Sequence, residues 1–372
     1  MLNQFTFLLL IFATISVPQQ TYSYSVYVLE GSREVLCKNC RTGLIPASIV
    51  KLVPFLKLYE NFRGKVFQAK ICLESQKFTL ILPLDPSMSS GDLLSLLKIF
   101  KPSSKVKVLM PQLRLSPERK RKLNLGIEKP FYPLDFLVSY NLLTADTLIV
   151  QKETLGNPDH VLDKICRDLS IVCDFQSVEG NLSEANQPLR ANGTIGTVAD
   201  KNNCVDYPVT TFDKTLRAIG SYSNNFATEI SLAFFSEKMS VDEGEKKLKE
   251  IVSREFPHSD IKEFTGLDRA NRIACYDIVR FVKAHVERDP SSLGFLSVQK
   301  DYPVYRHIGD INQTIFAKTG SLDGVSSLVG VYPIKTRDTL SFRYFCIIQN
   351  CSDCLFDLKS RERELLQKIL SK

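Results

Sequence analysis

The stretch "TIFAKTGSLDGVSSLVGVY" (residues 314–332) runs from an apolar segment into Lys318, Thr319 and Gly320, then through small polar residues into a second apolar segment. Two readings fit it. A β-hairpin edge would carry Lys318 as a solubilising charge, with Gly320 beside the turn. The other reading is a strand end that receives an anionic ligand. Downstream, "SSLVGVYPI" and "TLSFRYFCII" read as further strands, and "LKSRERELLQKILSK" reads as a terminal helix.

Upstream, the pattern changes twice. "YSVYVLEGSREVLC" (24–37) alternates and turns at Glu30, Gly31 and Ser32, as a hairpin does. "IPASIVKLVPFLKLYENF" (45–62) has apolar residues at helical spacing, and Pro54 is expected to kink or interrupt that helix. Residues 63 to about 200 hold short strand-like runs such as "KFTLILPL" and "DTLIV". Helical periodicity returns from about 207, where "VTTFDKTLRAIGSYSNNFATEISLAFFSEKM" reads as two helices broken at Ser221 to Asn225. "VDEGEKKLKEIVSREF" and "RANRIACYDIVRFVKAHVE" read as two more. The expected organisation is a discontinuous domain, 24–62 with 200–372, and a domain inserted over 63–199.

Composition bounds the function. The 372 residues are 44% hydrophobic and 24% charged, which is ordinary for a globular chain. A net charge of +7 permits an anionic partner but falls short of a nucleic-acid binder. The densest basic cluster, "RLSPERKRKLNLGIEK" (114–129), has no aromatic residues to stack bases. Residues 1–23 carry a short apolar run, "FTFLLLIFATISV", followed by polar and small residues, and are expected to be an export signal. No later segment reads as a membrane span. The chain has ten cysteines, including two C-x-x-C pairs, Cys37 with Cys40 and Cys351 with Cys354. That spacing serves a four-thiolate zinc site or, in an exported protein, disulfides, and the connectivity is left open. Four histidines show neither H-x-x-x-H nor H-E-x-x-H spacing, and G-x-S-x-G is absent.

Three short patterns carry chemistry. Ser48 and Lys51, three positions apart, would share a helix face, and a partly desolvated lysine can take a serine proton. Ser223, Asn224 and Asn225 break a helical run with hydrogen-bonding side chains. Lys318, Thr319 and Gly320 lie on a strand. In this order, S-x-x-K, S-x-N and K-T-G resemble the motif set of penicillin-recognising serine enzymes. The resemblance extends to "PASIVKLV", to "YSNNFATEI", and to "FTGLDRANRIA" (264–274), which is similar to the family's "GSGLSR-x-N". It also takes in "LILPLDPSMSSGDLLSLLKIF". These segments resemble the low-molecular-mass class C penicillin-binding proteins, the D-alanyl-D-alanine carboxypeptidase/endopeptidases of penicillin-binding protein 4 type. Departures are Phe264 and Thr265 in place of glycine and serine, Asp268 in place of serine, and no recognisable G-x-x-G-T-L segment.

The resemblance implies an α/β (α+β) fold, a sheet flanked by helices, with an inserted mostly β domain between the first and second motifs. It implies Ser48 as nucleophile, Lys51 as general base and Ser223 as proton relay. Asn225 would hold the acyl side of the substrate, while Lys318 and Thr319 would receive its terminal carboxylate. Gly320 would let the ligand lie against the strand, and the backbone N–H groups of Ser48 and Ser321 would form the oxyanion hole. The implied partners are peptidoglycan muropeptides in the periplasm or cell-wall space, with β-lactam antibiotics as inhibitors and no cofactor or metal. A deacylating glutamate of the lactamase type is not matched, because "ETLGN" (153–157) precedes Ser223. Penicillin is therefore expected to inhibit rather than to be destroyed. The alternative is a peptidoglycan-binding homologue of the same fold with little or no turnover.

Overall fold

The computed structural model describes residues 21–74, 77–83, 90–100, 104–111, 166–178, 204–236, 240–296, 308, 314–335, 340–352, 354 and 357–371. The export segment as far as residue 20, the basic cluster at 114–129 and the "DTLIV" strand lie outside the described residues.

The chain's two ends share one antiparallel sheet. β1 (Thr21–Glu30) turns through Gly31, at φ 56°, into β2 (Arg33–Lys38). From the other end come β8 (Phe316–Leu322), β9 (Val325–Lys335) and β10 (Leu340–Ser352). The order is β2-β1-β10-β9-β8, which leaves β8 as an edge strand. β10 shows why its sequence is almost continuously apolar. Tyr344, Cys346 and Ile348 enter the core on one face, while Phe345 and Ile347 enter a second core on the other. The second core is closed by α7 (Leu358–Leu370) through Leu366, Ile369 and Leu370. Each such burial contributes about 1.5–3 kcal/mol.

On the first face α6 (Cys275–Arg288) packs directly on β10 and β1, and its core is shared by α1 (Leu52–Phe62), α3 (Phe212–Gly220), α4 (Asn225–Ser231) and α5 (Val241–Val252). Residues 269–274, expected to be helical, are instead a loop. Ile273 pairs with Leu44 in an antiparallel bridge, and the Asn271 amide is held by the Lys262 and Glu263 backbone, so α6 starts only at Cys275. Pro54 does not interrupt α1, which runs unbroken from Leu52 to Phe62. It sits in the first turn of that helix, where a backbone N–H would have no intrahelical acceptor.

Between the two ends lies a second five-stranded sheet, β6-β5-β4-β3-β7. β3 (Val66–Glu74) is antiparallel to β4 (Lys77–Ile81) and to β7 (Cys204–Thr211). β4, β5 (Lys105–Pro111) and β6 (Val172–Val178) run parallel. β7 lies beyond the expected residue-199 boundary. α2 (Ser90–Leu97) covers this sheet with Leu93, Leu96 and Leu97. Lys214 of α3 reaches Asp92 of α2 at 2.7 Å, tying the insertion to the helices of the first unit.

All ten cysteines are paired: Cys37–Cys40, Cys72–Cys204, Cys166–Cys173, Cys275–Cys346 and Cys351–Cys354. The two C-x-x-C pairs therefore form separate disulfides, and the zinc reading of them falls. Among the described residues no helix is long and apolar enough to cross a membrane.

Candidate active site

Ser48 is placed by backbone and side chains that converge on the segment before it. Leu44 exchanges hydrogen bonds with Ile273. The Asn350 side chain of β10 brackets Ile45, accepting from its N–H at 2.7 Å and donating to its carbonyl at 3.1 Å. Ser327 of β9 donates to the Pro46 carbonyl at 2.5 Å. Ala47 then adopts φ 49°, unusual for a residue with a side chain, and the chain enters a 3-10 turn over Ala47–Lys51. The expected shared face arises differently from the α-helix assumed in the sequence. In a 3-10 turn, residues three apart are eclipsed. Lys51 Nζ accordingly lies 2.8 Å from Ser48 Oγ.

The lysine's environment gives this pair its chemistry. Lys51 is fully buried, and its Nζ also donates to the Thr265 carbonyl at 2.5 Å. Burial penalises the ammonium and brings its pKa down to about 7, although the Glu263 carboxylate opposes the shift. At neutral pH a large share of Lys51 is therefore unprotonated and hydrogen-bonded to a hydroxyl, as a general base requires.

Two glycines press on the Ser48 backbone. A Cβ on Gly320 would come within 2.8 Å of Ser48 N and 2.7 Å of the Pro46 carbonyl. A Cβ on Gly266 would meet the same nitrogen at 2.8 Å and the Ala47 carbonyl oxygen at 2.3 Å, and Gly266 also holds φ +80°. Gly266→Ala is therefore expected to lower stability by roughly 2–4 kcal/mol and to displace the Ser48 amide. Denaturant unfolding, together with the acylation rate of the variant, checks this. Wild-type values for both would show that the close approach is relaxed at no cost.

On β8, Lys318 and Thr319 are buried, whereas Ser321 is exposed. Lys318 Nζ donates to the Thr319 carbonyl at 3.0 Å. Burial, then the positive charges of Lys51 and Lys359, push the Lys318 pKa well below the usual lysine value. A bound anion would relieve both effects. β8 packs directly on the 3-10 turn, so K-T-G and S-x-x-K meet as expected.

Ser223 lies in the turn between α3 and α4, and Asn225 is the first residue of α4; both helices pack on α1. Ser223 has φ 56°. The residue between them is structural: Asn224 caps α4, accepting from the Ala227 N–H at 2.9 Å. Among the described residues neither Ser223 nor Asn225 hydrogen-bonds to Ser48, Lys51 or Lys318. The S-x-N element is thus placed beside α1, the helix that follows the Ser48–Lys51 turn.

The sequence reading gave no role to Glu263, Gly266, Asn271, Ser327 or Asn350. Gly266 and Asn271 stand in the "FTGLDRANRIA" segment that carries the resemblance, and polar Gln349 and Asn350 inside an apolar strand are a further local signal, since buried polar groups on strands need partners. Of the histidines, His285 is buried on α6 with Nδ1 2.8 Å from the Phe281 carbonyl, apart from this site. Among the described residues no cluster of three or more potential ligands could hold a metal.

No protein-family model matches the chain, and no curated protein matches it in sequence. Solved structures do match in fold. Penicillin binding protein 4 from Haemophilus influenzae aligns with a TM-score of 0.56 at 14% identity, covering 94% of this chain and 96% of that one. A predatory peptidoglycan endopeptidase from Bdellovibrio bacteriovorus gives 0.59 at 14% identity over 94% and 92%. The penicillin G acylated form of that endopeptidase, in complex with an immunity protein, gives 0.56 at 13% identity over 94% and 91%. The chain thus has the penicillin-binding-protein/β-lactamase-like fold with an inserted mostly β domain.

Proposed function

We propose that the protein is an exported serine D-alanyl-D-alanine carboxypeptidase/endopeptidase that acts on peptidoglycan peptides through an acyl-enzyme on Ser48. The observation that carries this reading is the buried Lys51 Nζ, 2.8 Å from Ser48 Oγ, with its pKa near neutrality. Full cysteine pairing supports an oxidising compartment such as the periplasm or cell-wall space.

In this mechanism Lys51 takes the Ser48 proton as Oγ attacks the carbonyl between the two D-alanines. The oxyanion is held by the Ser48 and Ser321 N–H groups. Collapse breaks the C–N bond, and the leaving nitrogen takes a proton relayed by Ser223. Water then hydrolyses the ester. The peptide lies along β8, the edge strand of its sheet among the described residues, with Asn225 on the acyl side. Its carboxylate meets Lys318 and Thr319, and Gly320 lets it approach.

Incubating the mature protein with benzylpenicillin and recording its intact mass tests the reading. A long-lived adduct is expected, and an unmodified protein with undiminished drug would point to a non-catalytic peptidoglycan binder. Lys318→Ala should selectively weaken substrates with a free terminal carboxylate, by about 10- to 100-fold in kcat/KM, because a charge-assisted contact is lost. Equal loss with peptides amidated at that carboxylate would remove Lys318 from the anion-binding role.

A further inference from the structure

We propose that Glu263 is the positioning residue of the Ser48–Lys51 pair: its carboxylate shapes the loop that presents the Thr265 carbonyl to Lys51 and Gly266 to the Ser48 backbone. This rests on the serine acyl-transfer reading. Glu263 is buried, and both of its oxygens are occupied. Oε2 accepts from the Thr265 N–H at 2.7 Å and from the Thr265 hydroxyl. Oε1 accepts from the Asp268 N–H at 3.0 Å and from the Asn271 amide at 3.1 Å. Asn271 in turn accepts from the Lys262 and Glu263 N–H groups at 2.7 and 3.1 Å.

Four donors face one carboxylate, which suits a group that is acceptor-only when ionised. A glutamine there would turn an N–H₂ towards one of those donors. The two oxygens of Glu263 take up these four donors, so the carboxylate acts on the reacting pair through the loop. Its product is the loop: Thr265 is fixed by two bonds to Glu263 and directs its carbonyl to Lys51 Nζ, while the next residue is the glycine against Ser48 N. This also explains how Thr265 and Asp268 stand where the resembling family has serine. Thr265 acts on Lys51 through its main chain, and Asp268 meets Glu263 through its N–H.

Glu263 further supplies the negative charge nearest the base. The charged groups around Lys51 are Glu263 on this loop and Lys318 on β8, with Lys359 on α7 behind Lys318. Lys359 in turn lies 3.5 Å from the buried carboxylate of Glu362. Removing the charge of Glu263 leaves burial unopposed, so Lys51 should lose its proton at lower pH.

The test is the pH dependence of benzylpenicillin acylation in wild type, Glu263→Gln and Glu263→Asp. Beside it, NMR titration of ¹³Cε-labelled lysines follows Lys51 directly, assigned with Lys51→Met. In Glu263→Gln the acid limb and the Lys51 titration should move down by about one pH unit. The plateau rate should fall about 10- to 100-fold as the pair loses its placement. Glu263→Asp, which keeps the charge one methylene further back, should show smaller changes in the same directions, and it decides the question if the glutamine variant does not fold. Wild-type limb, titration and plateau in a folded variant would overturn the proposal. A wild-type protein that never acylates would sink the serine reading instead, while the Lys51 titration would still report on Glu263.

Discussion

Ser48→Ala is expected to remain folded and to lose the benzylpenicillin adduct altogether, with the acylation rate down by about 10⁴-fold or more. The fold should tolerate the change because the segment is held elsewhere: by Asn350 on Ile45, by Ser327 on Pro46 and by Ile273 on Leu44. The hydroxyl's bond is to Lys51 Nζ, which keeps the Thr265 carbonyl as partner when Oγ is gone. The stability loss should therefore be about 1 kcal/mol, the net worth of one hydrogen bond. Activity has no such reserve. Among the described residues, the variant lacks the only oxygen within hydrogen-bonding reach of the base that could form an ester. Intact mass and stopped-flow drug consumption, run on both proteins, give the answer. An adduct on the alanine variant at the wild-type rate would mean that another residue is acylated.

The fold was legible in the sequence where the pattern is local. The hairpin at Gly31, the three C-terminal strands, the closing helix and the break after Gly220 follow from alternation, helical period and turn residues. They emerge largely where expected. The two ends of the chain could be joined into one sheet only through the motif resemblance, since strand partners such as Val28 and Phe345 leave no mark in local sequence. Pro54 misled because its effect depends on its place in a helix. The preceding 3-10 turn moves the helix start to Leu52 and makes the proline harmless.

The site was legible as residue types but not as machinery. Ser48, Lys51, Lys318 and Gly320 stand in short patterns and are brought together. What presses and orients them comes from distant segments: Gly266 and Glu263 from one loop, Asn350 from β10. These contacts are backbone to side chain, so no characteristic pair of residue types announces them. The loop at 269–274 has apolar spacing resembling a helix, yet buried hydrogen bonds of Asn271 and the bridge to Leu44 outweigh that propensity.

Lys51→Met should abolish acylation and yet stabilise the protein at neutral and lower pH. An unbranched apolar side chain of similar length fills the same space without a charge. Lysine's ordinary pKa of 10.5 applies in the unfolded chain, whereas the folded value is about 7. Below pH 7 both states hold the proton, and the folded state bears the full desolvation cost, on the order of 5 kcal/mol for a shift of this size. Between 7 and 10.5 the folded protein has released a proton that the unfolded chain still binds. Wild-type stability therefore rises with pH through this window, and the cost is gone above it. Methionine removes the cost but strands the Thr265 carbonyl and the Ser48 hydroxyl, a loss of about 1–3 kcal/mol. The variant should thus exceed wild type by roughly 2–4 kcal/mol at pH 6, with the advantage cancelled or reversed by pH 10.5. Urea unfolding of both proteins at the two pH values, disulfides intact, measures the difference. A gap that stays constant with pH would mean that Lys51 titrates near its ordinary value. The general base would then carry its proton at neutral pH, and the serine would need another acceptor.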